Sequence, residues 1–306
     1  MRVGVTVGCV CQIHDVNIRR NLSLPRVASK SQVRAKNAEP PRLASQATSY
    51  NTTMPNPSIP GRWSDNDRFW EATFPFEFDE TRFAAASHEV TGLLGLVEVP
   101  DDGVVLDMCC GPGRHALELA LRGYSVTGVD RTTSYIDIAR SRAASAGAAI
   151  EYIVADATSF ERPSHFDLIL NLFTSFGYFD RHSENVAVLS RARQSLRPGG
   201  QLVIETISRP AVMRVPQATD RLEKNGSVLE ESSTVSPDRT TLTGNWTLRH
   251  PSGLTEAFTF RLNLYSAQSL TKLLRQAGFT TLRFFDGFSG NPYTDDSVRM
   301  LVVARF

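Results

Sequence analysis

Four cysteines in 306 residues are too few for a disulfide framework. Cys9 and Cys11 lie in a poorly patterned start, and Cys109 and Cys110 are adjacent. All four read as reduced thiols, which suits a cytoplasmic setting. Neither paired cysteines at finger spacing nor added histidines occur near them, so no zinc site is expected. No apolar run approaches the roughly 18 to 20 residues of a membrane-spanning helix. Charge of one sign is also lacking. The formal net charge is +1, which gives no general attraction to nucleic acid or to an anionic membrane. No segment repeats at a fixed period, which excludes solenoids and propellers. What remains is an ordinary globular composition, 41% hydrophobic and 21% charged.

Residues 1–60 stand apart. They carry eight Lys or Arg against Asp15 and Glu39, and they are rich in Ser, Ala, Asn and Pro. Such a stretch cannot bury enough apolar surface to fold alone. It reads as an organelle transit peptide, a flexible tail, or residues upstream of a start at Met54. The two plainer readings are preferred. The folded unit is expected over residues 61–306, with a helical cap over 63–100. That cap brings Trp63, Phe69, Trp70, Phe74, Phe76 and Phe78 together, as a core edge or as a lid over a pocket.

From Val104 the chain alternates strand and helix. Strands are predicted at Val104–Met108, Ser125–Val129, Ile150–Val154, Phe166–Leu172 and Gln201–Glu205. Helical spacing is predicted over His115–Arg122, Ser134–Ala146 and Glu184–Leu196. Short apolar strands between helices predict an α/β fold with a parallel sheet covered on both faces. An antiparallel insertion of two or three strands is expected within residues 207–264, over the pocket. A helix capped by Ser266 and stopped by Gly278 follows, then two last strands, Thr281–Phe288 and Val298–Phe306.

The turn after the first strand reads Asp107-Met-Cys109-Cys-Gly111-Pro-Gly113-Arg-His115-Ala. Taken alone it fits a dinucleotide fingerprint. Asp107 argues otherwise. A dinucleotide lays its pyrophosphate on the helix N-terminus there, and a carboxylate would repel it. The acid suits a ligand that carries an ammonium.

On these residues the chain resembles class I S-adenosylmethionine-dependent methyltransferases, from about Phe69 to Phe306. Asp107, Gly111 and Gly113 match the family's first motif, and Cys109 stands where the family has glycine. "LRPGG" and "LLRQAGF" match family habits too. The resemblance implies a Rossmann-like, seven-stranded sheet ending in an antiparallel hairpin. It implies S-adenosyl-L-methionine as cofactor, with the motif residues around its methionine half and Asp107 near its amine. Asp130, with Arg131 beside it, is expected at the ribose hydroxyls, where two lone-pair-rich oxygens suit a cis-diol. Asp156 is expected at the adenine amine, with Ala157 packing beside it. Asn171 and Phe173 are expected near the methionine and sulfonium.

The stretch "NLFTSFGYFDRHSEN" departs from the (D/N)PP(Y/F) loop of enzymes that methylate nucleobases or glutamine. The expected partner is therefore a small-molecule acceptor, methylated on nitrogen or oxygen by in-line displacement, which asks mainly for alignment. The candidate catalytic groups are Tyr178 and Glu205. His182 is expected in an exposed loop and His115 on a helix surface. Trp246 and Arg249 are candidates to roof the pocket. Nucleic acid is not expected as a partner, because the basic start lacks interleaved aromatics for base stacking. An NAD-dependent oxidoreductase and a catalytically silent cofactor-binding protein remain the alternatives.

Overall fold

The computed structural model describes residues 62–306. The extension expected over 1–60, with Cys9 and Cys11, lies outside the described residues. Two helices open the described chain, α1 (Asp67–Glu77) and α2 (Glu80–Leu94). Asn66 and Asp79 cap them, accepting from the amides of Phe69 and Arg82.

The alternating section folds as β1 (Val104–Met108), α3 (Arg114–Leu121), β2 (Ser125–Asp130), α4 (Thr133–Ser145), β3 (Glu151–Val154), β4 (Phe166–Asn171), α5 (His182–Ser195) and β5 (Leu196–Ile207). The strand ends fall within a residue or two of the expected ones, except at β5. There the Arg-Pro-Gly-Gly turn lies inside the strand, and the pairing with β4 shifts register between Phe166 and Leu168. A short helix α6 (Arg209–Arg214) follows.

Next come β6 (Gln217–Lys224), β7 (Ser227–Val235), β8 (Thr241–Arg249) and β9 (Thr255–Asn263), one antiparallel sheet in that order. This is one strand more than expected. β6 is the strand that was missed: its sequence, QATDRLEK, is charged and polar, and none of its residues is buried. Such a composition suits an edge strand, where charges discourage further pairing. The inner face of this sheet, with Leu229, Trp246, Leu248, Phe258 and Phe260, packs on Phe69 and Ala72 of α1. Gly244 pairs opposite Phe260, and a Cβ there would lie 2.2 Å from the ring, so glycine lets the ring lie flat on the sheet.

The chain closes with α7 (Ala267–Gln276), β10 (Thr281–Asp286) and β11 (Arg299–Arg305). Ser266 caps α7 through a reciprocal pair with Ser269, and Gly278 ends it at φ +94°. The large sheet has the order β10-β11-β5-β4-β1-β2-β3. β11 runs antiparallel to both its neighbours, and the remaining pairs are parallel. Leu106, Ile169 and Ile204 face one buried cluster, and Val105, Leu168 and Val203 face the other. β1 sits between β2 and β4, where the strand order reverses. In open α/β sheets that switch point makes a crevice at the carboxyl ends of the strands.

Candidate functional site

At the switch point the chain leaves β1 through three left-handed residues. Cys109 has φ +62°, Gly111 +55° and Gly113 +76°. Cys109 thus holds a conformation that glycine adopts freely, at a cost of about 1 to 2 kcal/mol for an L-residue. Its thiol faces the cavity and accepts from Asn171 Nδ2 at 3.7 Å. Burial pushes both adjacent thiols well above their usual range, so they stay protonated. At Gly113 a Cβ would lie 2.4 Å from the Tyr152 hydroxyl and 2.8 Å from Ala139 Cβ. This glycine is required for packing against β3 and α4.

Three acids stand at the ends of three strands. Asp107 is 2% exposed. Burial raises its carboxyl to about 6, against the pull of His115, Arg114 and the Ala116 amide. Its Oδ2 is buried with no hydrogen-bond partner. Asp130 accepts from Gly111 N at 2.9 Å on one oxygen and from Thr132 N at 2.8 Å on the other. Burial raises this carboxyl too, and the two amides hold it back. Asp156 Oδ1 accepts from the Thr158 amide and hydroxyl at 2.7 and 2.6 Å. Its Oδ2 takes Arg62 Nη2 at 2.5 Å. Burial opposes its charge, but Thr158 and Arg62 prevail and the carboxyl sits below its usual range.

The exit of β4 is strained. Phe173 and Thr174 both hold φ +58°, and such residues cost about 1 to 3 kcal/mol each unless their surroundings fix them. Glu205 does the fixing. Its Oε2 accepts from Phe173 N at 2.8 Å, and its main-chain oxygen accepts from Thr174 N at 3.1 Å. Its Oε1 pairs with buried Arg299 of β11. The candidate catalytic acid Glu205 therefore lies behind the cavity wall as an anchor, and Asn171 and Gly113 also lie behind it. The other candidates, Asp107, Cys109, Gly111, Asp130, Arg131, Asp156, Ala157, Phe173 and Tyr178, line one cavity.

Two residues on α3 extend it. His115, expected on a helix surface, is 4% exposed and lines the cavity. Its Nε2 lies 2.7 Å from Glu89 of α2, which also pairs with Arg114. Burial works against the Glu89 charge, yet Arg114 and His115 drive its carboxyl far below the usual range. Arg114 lies over the Phe173 ring, 5.0 Å from its centroid. His182 begins α5 on the surface, with Gln276 as its neighbour at 3.4 Å. Trp246 lines the cavity as expected, whereas Arg249 points outward to Glu230 at 3.1 Å.

An aromatic wall completes the cavity. Trp63 packs on Tyr178 (4.8 Å between centroids), Trp70 (5.5 Å) and Phe260 (5.6 Å). Burial pushes the Tyr178 phenol well above its usual range, so it makes a poor base. Arg131 straps the Trp63 segment down. It donates to Ser64 O at 2.8 Å, Asp65 O at 3.1 Å and Asp67 Oδ1 at 2.9 Å. Among the described residues no cluster of three or more His, Cys, Asp or Glu is placed to hold a metal ion.

Residues 105–200 match the family model described as a methyltransferase domain. The ubiquinone biosynthesis O-methyltransferase of Idiomarina loihiensis is 30% identical over 122 residues, 38% of this chain and 49% of that protein. Its counterpart in Pseudomonas paraeruginosa is 32% identical over 107 residues, 34% of this chain and 44% of that protein. The chain thus spans about half the length of the curated relatives it matches. Among solved structures, the CcbJ methyltransferase from Streptomyces caelestis aligns with a TM-score of 0.64 at 20% identity, over 76% of this chain and 95% of that one. An amino pentose methyltransferase from Micromonospora echinaspora, solved with S-adenosylmethionine bound, aligns with a TM-score of 0.56 at 20% identity, over 78% and 97%. These last two are likenesses of fold.

Proposed function

We propose that this chain is a class I S-adenosylmethionine-dependent methyltransferase, as the match of residues 105–200 to a methyltransferase-domain model supports, and that it methylates a small-molecule acceptor on nitrogen or oxygen. One observation carries the reading. Asp107, Asp130 and Asp156 end successive strands around one cavity, and Asp107 keeps a buried oxygen without a partner. A buried, unsatisfied carboxylate oxygen is costly, and an ammonium would satisfy it. That is the fit the cofactor's methionine half requires. Asp130 has one amide on each oxygen, and the lone pairs left over suit a ribose diol. Asp156 is shared with Arg62, so an adenine amine there meets an acceptor already held in place. When bound, S-adenosylmethionine supplies a methyl group already activated on a sulfonium. The residues of the chain then have to align the acceptor and exclude water, tasks that fall to Phe173, Tyr178 and the aromatic wall.

Residues 61–306 act as one unit in this proposal, with the antiparallel insertion closing the acceptor side. A cytoplasmic setting is part of it. It is supported by the two described cysteines, which are free thiols. Among the described residues no helix is long and apolar enough to cross a membrane.

The test is a screen of amine and hydroxyl acceptors with labelled donor; no transfer to any small molecule, alongside transfer to RNA or protein, would count against the reading. A second check uses pH. Asp107 must be charged to hold an ammonium, and its carboxyl titrates at about 6. Affinity for S-adenosylhomocysteine should be level above that pH and fall as the solution is acidified through it. Asp107→Asn should bind weakly and lose the dependence. An acid-insensitive affinity in the parent protein would remove Asp107 from the ammonium site.

A further inference from the structure

Building on the methyl-transfer reading, we infer that residues 62–66 form a latch across the adenosine half of the cavity. The latch opens to let the cofactor in and out, and it shuts over the bound cofactor.

The segment joins the two acids that the reading gives to the adenosine. Arg62 Nη2 holds Asp156, two residues past the end of β3. Arg131, directly after Asp130 of β2, holds Ser64 and Asp65 by their main-chain oxygens and Asp67 by its side chain. β2 and β3 are neighbours in the sheet, with Asp130 opposite Val154. The segment therefore runs from one acid to the other, and Trp63 and Ser64 line the cavity between them. A ligand held by both acids lies under it and leaves past it only when these contacts part.

The fastenings are of a kind that parts readily. Trp63–Asp65 is a single 3₁₀ turn, and Ser64 alone in it is buried. Arg62 and Asn66, on either side, have extended backbone. The turn thus meets α1 through a non-helical residue, the sort of position that absorbs a change of angle. The side chains of Arg62 and Arg131 keep 28% and 29% of their surface exposed. Ion pairs this open to water are individually weak.

The latch also carries part of the aromatic wall. Trp63 Nε1 donates to Tyr178 O at 3.2 Å, and Trp70 Nε1 donates to Ser64 O at 2.9 Å. Lifting the turn draws the Trp63 ring off Tyr178 and Phe260, so the wall is complete only when the latch is shut. A ligand favours a closed state only through contacts that it makes there. Trp63 and Ser64 supply those contacts. Closure over the cofactor thereby finishes the acceptor side and keeps water out, as lids do in other enzymes.

The rates of S-adenosylhomocysteine binding test this. The probe carries one ammonium and one carboxylate, so removing an arginine changes its long-range attraction little. Arg131→Ala should raise both the association and the dissociation rate, each about fivefold or more, because both scale with the fraction of molecules whose latch is open. A residue that only touched the ligand would raise the dissociation rate alone. Arg62→Ala should act in the same direction, and it serves in place of Arg131→Ala if that protein does not fold. In the parent, hydrogen exchange of the Asp65 and Asn66 amides, which donate to Arg62 O and Trp63 O, should slow about tenfold when S-adenosylhomocysteine binds. Association unchanged in both variants, or exchange that the ligand leaves as it was, overturns the latch and leaves the cofactor reading standing. Failure of the parent protein to bind S-adenosylhomocysteine removes the methyl-transfer reading itself, and this inference with it.

Discussion

Asp130→Ala should lower S-adenosylhomocysteine affinity by about 10- to 150-fold. A charged acceptor is worth about 1.5 to 3 kcal/mol in a hydrogen bond, and each 1.4 kcal/mol is about a factor of ten. The side chain also holds Gly111 N and Thr132 N, so its loss frees both sides of the turn that cradles the ligand. Stability of the ligand-free protein should fall as well, because the Gly111 and Thr132 amides lose their acceptor. Calorimetric affinity and melting temperature, measured on the same preparation, separate the two effects. Parent-like affinity would remove Asp130 from the ribose site.

Gly113→Ala should be the most destabilising single change in the turn. The added methyl meets the Tyr152 hydroxyl at 2.4 Å and Ala139 Cβ at 2.8 Å, in a residue held at φ +76°. Overpacking costs about 1 to 3 kcal/mol, and a left-handed L-residue adds about 1 to 2. For a domain of this size each kcal/mol moves the melting temperature by roughly 2 to 4 °C, so a fall of roughly 5 to 15 °C is expected. Tyr152→Phe in the same chain should recover part of it, because the nearest clashing atom is gone. Gly111→Ala makes a useful contrast. Its methyl would meet only the Phe78 and Tyr135 rings, at 3.5 Å and beyond, so backbone strain alone remains. A Gly113→Ala protein that melts within 2 °C of the parent would show that the turn relaxes at little cost.

Much of this site was legible because its parts are local. The strand ends at Asp107, Asp130 and Asp156 follow from short apolar runs closed by acids, and the glycine turn is written in consecutive residues. What was not legible depends on partners far away in sequence. Glu205 resembles a crevice acid until Arg299 is brought beside it by the reversed strand β11. His115 resembles a surface histidine until α2 sets Glu89 against it. β6 has only a half-buried face, on which Ala218 and Leu222 alternate with the charged Asp220 and Lys224, so no apolar alternation marks it. In one case the signal was present and unused. A period of two puts Trp246 and Leu248 on one face of β8 and Arg249 on the other, as burial confirms. Cys109 sits between the two groups. Its left-handed backbone explains why glycine is the easier residue there, but that conformation could not be read from the cysteine itself.

Melting the purified protein with S-adenosylhomocysteine and, separately, with NAD puts the central claim most directly at risk. A ligand that binds only the folded state at 100 times its Kd stabilises it by about 2.7 kcal/mol. Stabilisation by S-adenosylhomocysteine and none by NAD is the predicted result; stabilisation by NAD and none by S-adenosylhomocysteine would contradict the account.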